Sequence, residues 1–308
     1  MLHLGLCCLF LEENLRFRTT SFAALRKFSP PERRQRVSEI CLANAITLEQ
    51  TFRRLPELGI KAFRISSELF PLYTHPEAGY CLADLPDETQ IREHFAACRQ
   101  QASRAGLRLS LHPDQFVVLV SPRPEVVASS VAELKYQLAL AELAGAGEIN
   151  LHLGGNYGDK TAAIARFQEV FRSLPPGLQQ RLTLENDDVS YTVVDLLPVC
   201  RQLRLPLVYD VHHHRCLPDD LTVEDASRLA AETWQCRQTS PHFHVSSPKN
   251  GWDSRQVRPH ADYIDPVDFP PCWHNFDELC VDVEAKAKEK AIARLRLDLA
   301  AKRRLAAT

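Results

Sequence analysis

Histidine and acidic residues recur along this chain at the ends of short apolar segments. The recurring set is His112, His152, Glu185, Asp210, His213, His242, His244, His260 and Glu284. Imidazole and carboxylate groups are the ligands that Zn²⁺ and Mn²⁺ use in proteins, and such a site needs no thiolate. We therefore predict a metal site made of these residues.

The size of this set argues for more than one metal ion, because the ligands outnumber the positions around a single ion. Several carboxylates brought together without cations would repel one another strongly. A single buried histidine is more often a core residue than a ligand. A buried and unpaired carboxylate at Glu185 or Asp210 would cost much free energy, so these two residues are better candidates for ligands.

Three consecutive histidines, His212, His213 and His214, follow Asp210 directly. At least one of them is expected to begin a helix or face solvent. A residue three positions after Asp210 lies one helical turn away, so His213 is the preferred ligand of the three.

Several ions held by imidazoles and a few carboxylates form a strong Lewis acid, and phosphodiester hydrolysis is the reaction that this favours. A sugar isomerase on a similar scaffold would also use carboxylates and histidine, usually with a catalytic lysine. The number of histidines favours the phosphoesterase.

A DNA substrate would require cations and a wedge around the site. Candidate phosphate contacts lie in loops after apolar segments, at Arg16, Arg18, Arg215, Lys249, Arg255 and Arg258. Gln115 and Phe116 directly follow His112, so they could enter a distorted base stack. The alternative is that Phe116 only begins the apolar run that follows it.

The elements that position these residues alternate between short β-rich runs and longer helical patterns, which predicts a parallel sheet. Predicted strands cover residues 2–7, 62–66, 108–112, 149–153, 181–185, 207–210, 242–246 and 279–283. Predicted helices cover residues 47–58, 89–105, 124–144, 162–173, 189–203, 223–236 and 284–305, and the short proline clusters at Pro30-Pro31, Pro175-Pro176 and Pro270-Pro271 are taken as loops.

Eight strands with intervening helices predict an α/β fold, a single-domain (β/α)₈ TIM-type barrel with the metal site at the C-terminal face of the strands. The rival is an open doubly wound sheet. That fold usually has a glycine-rich turn after the first strand, and Gly5 is followed here by Leu6-Cys7-Cys8. The barrel is therefore preferred, and no nucleotide cofactor is expected.

Length and composition indicate the number of domains and the cellular compartment. The chain has 308 residues, a formal net charge of −2 and ten scattered cysteines. We expect one domain over residues 1–308, reduced thiols and a cytoplasmic location. The apolar N-terminus has no basic region before it and is expected to be a strand rather than a signal peptide. No apolar run is long enough for a membrane span, and nothing indicates a protein partner or an oligomer.

Eight segments resemble the UV damage endonuclease family, which is related in fold to endonuclease IV. They are residues 63–72 (FRISSELFPL), 112–116 (HPDQF), 151–155 (LHLGG), 184–187 (LEND), 209–214 (YDVHHH), 244–247 (HVSS), 258–264 (RPHADYI) and 283–290 (VEAKAKEK). The likeness runs in family order over about residues 2–295, with a basic helical C-terminal extension over about 285–308.

This resemblance implies an ATP-independent DNA repair endonuclease. It would cut on the 5′ side of pyrimidine dimers and other helix-distorting lesions in double-stranded DNA. It also implies two or three divalent ions, with Mn²⁺ preferred and Zn²⁺ or Mg²⁺ as alternatives. The residues matched to the family's motifs as ligands are those of the recurring set apart from His242. Catalytic roles fall on Glu185, His244, Glu284 and Lys286.

The resemblance also assigns damage probing to Gln115 and Phe116, and three departures from the family pattern stand out. His242 occupies the position of a family lysine that is modified to a metal-bridging carbamate. By strand alternation it points to the same side as His244, so it could bind one metal. Leu6 and Phe116 each stand where the family has a tyrosine.

Other functions remain open from the residues. An abasic-site endonuclease or another phosphodiesterase would use the same metals. A sugar isomerase or epimerase barrel would neither bind DNA nor need a basic rim. A DNA damage-binding protein without catalysis would leave the ligand set without a role.

Overall fold

Eight parallel strands close into a barrel in the computed structural model, which describes residues 1–306. Each strand pairs with its sequence neighbours, and β1 pairs with β8 to complete the ring. The strands are β1 (Leu2–Cys7), β2 (Ala62–Ile65), β3 (Arg108–Leu111), β4 (Glu148–His152), β5 (Leu182–Glu185), β6 (Leu207–Asp210), β7 (His242–Val245) and β8 (Leu279–Val283). The TIM-type barrel prediction is confirmed, and every predicted strand boundary lies within one residue.

Helices form the outer layer of the barrel. The α-helices among the described residues are α1 (Phe22–Leu25), α2 (Pro30–Glu57), α3 (Glu88–Ala105), α4 (Pro124–Ala144), α5 (Lys160–Ser173), α6 (Pro176–Gln179), α7 (Val193–Leu203), α8 (Val211–Cys216), α9 (Val223–Thr233) and α10 (Lys288–Ala306). Short 3₁₀ turns cover Leu82–Asp84, Trp234–Arg237 and Pro271–Asn275.

The first long helix corrects the sequence prediction, since α2 begins at Pro30 rather than near Thr47. Pro30 and Pro31, which the sequence pattern assigns to a loop, occupy the first turn, where a missing N–H costs nothing and the fixed φ suits a helix. Ser29 and Glu32 form a capping box at this end. Proline at a helix start was mistaken for an interruption.

Two other helices, in contrast, begin later in the chain than the sequence predicts. Helix α7 begins at Val193 instead of residue 189, because Thr192 caps it by accepting a hydrogen bond from the Asp195 N–H. Helix α10 begins at Lys288, four residues after Glu284. Residues 307 and 308 of the predicted extension lie outside the described residues.

Strand alternation divides the side chains between two environments. Outward residues such as Phe63, Leu111 and Leu151 pack in the apolar layer between strands and helices. The inward positions are largely polar and buried, as at Arg64 and Asp282. Bulky aliphatic residues usually fill the interior of such barrels. The buried polar side chains inside this barrel therefore indicate where a candidate functional site lies.

No helix within residues 1–306 is long and apolar enough to cross a membrane.

Candidate metal centre

The predicted ligands converge at the C-terminal ends of the strands. His152, Glu185 and Asp210 are the last residues of β4, β5 and β6, and His112 directly follows β3. His244 lies in β7, one residue before its end. Parallel strands end at the same rim of a barrel, so short strands with one polar residue at this end bring those residues together.

Glu185 lies at the centre of the cluster and is fully buried. Its Oε1 atom is 3.0 Å from Nδ1 of His244 and 3.3 Å from Nδ1 of His213. Its Oε2 atom is 3.5 Å from Nε2 of His112 and 3.9 Å from Nε2 of His152. One carboxylate thus faces four imidazoles from four different strands or strand ends.

Charge in the cluster favours added cations. Burial alone would raise the pKa of Glu185, but the imidazoles of His244 and His152 hold it well below its usual range. Burial would likewise lower the pKa of His213, yet Asp210 and Glu185 raise it well above the ordinary histidine value. Asp210 and Glu185 thus remain ionised and attract positive charge, which a proton on His213 or a metal ion could supply.

Asp210 provides a direct test of whether the residues fit a metal. Its Oδ1 atom accepts a hydrogen bond of 2.8 Å from the His213 N–H and so caps α8. Its Oδ2 atom is buried and has no hydrogen-bond partner among the described residues. This atom lies 3.7 Å from Nδ1 of His213 and 4.0 Å from Nδ1 of His244. A buried carboxylate oxygen without a donor, aimed at imidazole nitrogens, fits a ligand of a divalent cation.

Hydrogen bonds outside the cluster orient its histidines. The Nδ1–H of His112 donates to the Asn150 carbonyl at 3.0 Å, which leaves Nε2 facing Glu185 as a potential ligand. Burial lowers the pKa of His112 to about 3, so the ring is neutral at physiological pH, as a metal ligand must be. The Asn150 side-chain amide also donates to Oε2 of Glu185.

Glu284 and His260 complete the other side of the cluster. Oε2 of Glu284 lies 3.6 Å from Nδ1 of His260, and Oε1 lies 3.5 Å from Nδ1 of His244. The buried Arg64 guanidinium contacts the same carboxylate at 2.6 Å. Although burial opposes ionisation, Arg64 and His244 hold the pKa of Glu284 well below its usual range.

Candidate ligand atoms form groups that share members. Three groups along the rim are His112–His152–Glu185, Glu185–Asp210–His213 and Asp210–His244–Glu284, and in each group the ligand atoms lie within 4.8 Å of one another. Glu185 belongs to the first two groups and Asp210 to the last two. Glu185 and Asp210 therefore join the three groups into one continuous cluster of candidate ligands.

His242 lies below this rim, deeper in the barrel. It forms a fourth group with His244 and Asp282. Its Nδ1 atom is 2.8 Å from Oε2 of Glu148, and its Nε2 atom is 3.2 Å from Oδ1 of Asp282. The structure thus brings His242 and His244 to the same side of β7, with ring centroids 5.5 Å apart.

Two residues of the histidine triplet lie outside these groups. His214 is tied to the Tyr209 hydroxyl at 2.6 Å and to the Asp219 carboxylate at 3.1 Å. His212 donates from Nε2 to the carbonyl of Arg258 at 3.3 Å. Of the three, only His213 belongs to a described ligand group.

Beside the cluster, a cavity of about 480 Å³ opens towards the loops after β3, β4 and β5. His112, His152 and His213 line this cavity together with Gln115 and Val189. Phe116 stands next to this cavity with 78% of its surface exposed. An exposed aromatic side chain beside a polar cavity is available for contact with a ligand.

The predicted rim cations differ in their surroundings. Arg18 and Lys249 are exposed, and Arg258 is exposed although it lies 3.3 Å from the carboxylate of Asp188. Arg215 is held inside the protein surface, because it donates to the carbonyl and carboxylate of Asp268. Arg215 therefore stabilises a loop in this structure rather than projecting from it.

Lys286, which has a predicted catalytic role, and Leu6, which replaces a family tyrosine, lie apart from the ligand groups. The side chain of Lys286 is exposed, two residues after Glu284, and its backbone N–H donates to Ala261. Leu6 is fully buried. Leu6 points outward from the barrel, as do its register partners Phe63 and Val283, so it cannot reach a ligand at the rim.

Four polar interior residues of the site are absent from the sequence predictions: Arg64, Glu148, Asn150 and Asp282. Apart from Arg64, each lies an even number of residues before a predicted ligand of the same strand or strand end, so it faces the same interior. Asp282 precedes Glu284 by two residues, and Asn150 precedes His152 by two. This two-residue period was the available signal.

Comparison with known proteins gives consistent matches over nearly the whole chain. The family model described as UV-endonuclease UvdE matches residues 2–307. The UV DNA damage endonuclease of Bacillus velezensis is 34% identical over 292 residues, which cover 92% of this chain and 89% of that protein. The crystal structure of SacUVDE has a TM-score of 0.85 at 27% identity, with 98% of this chain and 99% of that chain covered.

A more distant match concerns the fold alone. The crystal structure of endonuclease IV from Thermus thermophilus has a TM-score of 0.58 at 18% identity, with 82% of this chain and 93% of that chain covered.

Proposed function

This chain belongs to the UV-endonuclease UvdE family, and from that premise we propose that it is a metal-dependent DNA repair endonuclease. Its substrate is double-stranded DNA with UV photoproducts or other helix-distorting lesions, and it hydrolyses the phosphodiester bond on the 5′ side of the lesion. The observation that carries the metal-dependent part is the Glu185 carboxylate, buried among four imidazoles.

The cofactor we propose is a set of two or three divalent ions, with Mn²⁺ preferred and Zn²⁺ or Mg²⁺ as alternatives. The proposed ligands are His112, His152, Glu185, Asp210, His213, His242, His244, His260 and Glu284. Divalent ions in this position would polarise the scissile phosphate and stabilise the charge of the leaving oxygen. Buried oxygen and nitrogen donors without thiolates fit these ions.

The protein's own groups prepare the site for this chemistry. Asn150 orients His112 and Glu185. Arg64 fixes the carboxylate of Glu284 from the interior. Such partners hold ligands in place before the substrate arrives, and losing one typically costs about 10–100-fold in metal affinity or activity. Glu185, His244 and Glu284 would hold the ions that contact the reacting phosphate, and exposed Lys286 would contribute a cation near the site.

Lesion recognition is assigned to the cavity next to the cluster. Gln115 offers a polar side chain and Phe116 an exposed ring, and both lie close to His112 in the chain. A helix-distorting lesion weakens base stacking, so insertion of such side chains costs less there than in regular duplex. Arg18, Lys249 and Arg258 are proposed to contact phosphates around the lesion. Hydrolysis by this route consumes no nucleotide cofactor.

A cytoplasmic location is part of the proposal. It is supported by cysteines that are all free in the described part of the chain, as expected in a reducing compartment.

The test is strand cleavage of three matched duplexes, one with a single pyrimidine dimer, one with an abasic site and one undamaged. Each is incubated with Mn²⁺ or with EDTA, and the nick is mapped by end labelling. A metal-dependent nick 5′ to the dimer is expected, with the undamaged duplex left intact. Cleavage of the abasic duplex alone would replace the proposal with an abasic-site endonuclease. Cleavage of none of the three, by protein that binds metal, would favour a different phosphodiesterase or a sugar isomerase.

A further inference from the structure

Residues 16–36 form a strongly basic segment in a chain whose net charge is −2. Seven of its side chains are arginine or lysine, and Glu32 is its only acidic residue. The segment covers the end of the loop after β1, helix α1 and the first two turns of α2. Below it is called the basic segment.

The basic segment lies at the same end of the barrel as the metal centre. It follows β1, and helix α2 begins where a barrel helix must begin, at the C-terminal rim of the strands. The ring of Phe22 packs against His75 of the loop after β2, with centroids 4.6 Å apart. The backbone N–H of Arg18 donates to the side chain of Asn44, which also donates to the carbonyl of Leu69 in that loop.

Two of the seven cations are engaged within the protein. Arg16 donates to the backbone carbonyls of Phe10 and Leu11. Arg34 lies 3.0 Å from the carboxylate of Asp84. The carboxylate of Glu32 accepts from the backbone and hydroxyl of Ser29, so it is occupied by the helix cap.

The other five cations are Arg18, Arg26, Lys27, Arg33 and Arg36. Within residues 1–306, no carboxylate lies within 4.0 Å of any of them. Aromatic rings nevertheless hold three of them in place. Arg36 and Lys27 lie 3.8 Å and 5.2 Å from the ring centre of Phe28, and Arg33 lies 5.6 Å from that of Phe22. Side chains that are fixed before binding lose less conformational freedom when a ligand arrives.

We propose that the basic segment binds the phosphate backbone of the duplex beyond the lesion, on the β1–β2 side of the metal centre. This rests on the proposed function. Four of the five cations that lack a carboxylate partner among the described residues are arginine, whose planar guanidinium pairs with phosphate through two hydrogen bonds. A regularly spaced polyanion can engage several such groups at once, and most protein–DNA hydrogen bonds go to phosphate and sugar.

The test uses Arg26→Gln, Lys27→Gln and Arg36→Gln combined in one full-length variant. Its matched control combines Arg104→Gln, Arg172→Gln and Arg204→Gln. These three arginines lie at the C-terminal ends of α3, α5 and α7, at the opposite end of the barrel. Binding to a duplex of about three helical turns is measured in EDTA over a series of salt concentrations, so that no cleavage occurs.

For the basic-segment variant, the slope of log affinity against log salt is expected to become shallower by about 2 to 3, because each lost phosphate contact contributes roughly 0.9. Affinity at about 0.1 M salt is expected to fall at least about tenfold, without dependence on sequence. The control variant is expected to keep the wild-type slope. The single variant Lys27→Gln, for which a slope change of about 1 is expected, covers the case in which the triple variant does not fold.

An unchanged slope in the basic-segment variants, or an equal loss in the control, overturns the inference. Loss of binding to anionic lipid vesicles with unchanged DNA binding also overturns it, in favour of a membrane surface. The experiment distinguishes failure of this inference from failure of the proposed function, because DNA binding and lesion cleavage are measured separately. Wild-type cleavage 5′ to a dimer with an unaffected variant leaves the function standing alone. A slope change without any lesion cleavage leaves only the DNA-binding surface.

Discussion

The Nε2 atom of His242 lies 3.2 Å from Oδ1 of Asp282 inside the barrel, and neither atom forms a hydrogen bond among the described residues. Two ligands of one ion, each about 2.1 Å from it, lie about 3.0–3.4 Å apart. The same contact would suit a protonated imidazole, since Asp282 and Glu148 raise the pKa of His242 against the effect of burial. The contact therefore admits two readings, an ion shared by His242 and Asp282 or a proton held on His242.

We expect His242→Gln to lower the bound metal by one ion per chain, because it removes one of three clustered donors. Elemental analysis after dialysis measures this directly. The control is His94→Gln, which removes an imidazole paired with Glu49 away from the strand ends. Unchanged metal content together with lower stability would instead identify His242 as a protonated partner of the two carboxylates.

Gly5 leaves the space that the Asp282 carboxylate occupies. A Cβ atom at Gly5 would lie 2.1 Å from Oδ1 of Asp282 and 3.0 Å from Cβ of Ala62. Gly5→Ala is therefore expected to lower the free energy of unfolding by about 1–3 kcal/mol, the usual cost of overpacking. Urea unfolding measures the change. At Gly147 an added Cβ meets nothing within 4 Å, so Gly147→Ala serves as the control. Equal stability of the two variants would show that Asp282 is free to move.

Phe116 is exposed beside the cavity, so its substitution is expected to affect DNA binding without lowering the stability of the fold. Phe116→Ala is expected to weaken binding to dimer-containing duplex by about 5–100-fold, since stacking of one base on an aromatic ring contributes about 1–3 kcal/mol. Its unfolding midpoint should match that of the wild type. Leu297→Ala, at a site that is 73% exposed on α10, is the control. Unaltered affinity for the lesion would remove Phe116 from damage recognition.

The ionisation of the buried Glu148 carboxylate is expected to make the stability of the protein depend on pH in the acidic range. Burial opposes its ionisation, yet Arg108 and His242 lower the pKa of this carboxyl from an ordinary 4.5 to about 2. A lowered folded-state pKa contributes stability that is complete above pH 4.5 and is lost as the pH falls from 4.5 towards 2. The contribution at neutral pH is on the order of 3 kcal/mol.

The difference in unfolding free energy between wild type and Glu148→Gln, both free of metal, is therefore expected to shrink between pH 4.5 and 2. Urea unfolding across this range provides the measurement. A difference that stays constant with pH would mean that Glu148 has an unshifted pKa in the folded protein.

The strands could be predicted closely from sequence, whereas three helix starts could not, and the start of α2 differs most from its prediction. Buried parallel strands are short apolar runs, so residues such as Leu207 and Asp210 mark their ends clearly. Prolines at Pro30 and Pro31 are ambiguous, because proline both interrupts helices and begins them. Only the pairing of Ser29 with Glu32 resolves the ambiguity.

The rim of the candidate site was more accessible to prediction than its interior. Residues such as Glu185 and His112 stand out because they interrupt or follow apolar runs. Arg64 has no predicted ligand on its own strand, so its role follows only from its contact with Asp282 on β8. That partner lies more than two hundred positions away in the sequence, so no local pattern identifies it.

The most direct measurement is nicking of a single-dimer duplex by wild-type protein and by Glu185→Gln over a range of Mn²⁺ concentrations, with bound metal determined in parallel. Because Glu185 faces four imidazoles, the variant is expected to bind less metal and to nick at least about 100-fold more slowly. The wild type is expected to nick 5′ to the dimer only when divalent metal is present. Cleavage that resists EDTA, or a Glu185→Gln variant with wild-type metal content and rate, would contradict a metal-dependent endonuclease centred on this carboxylate.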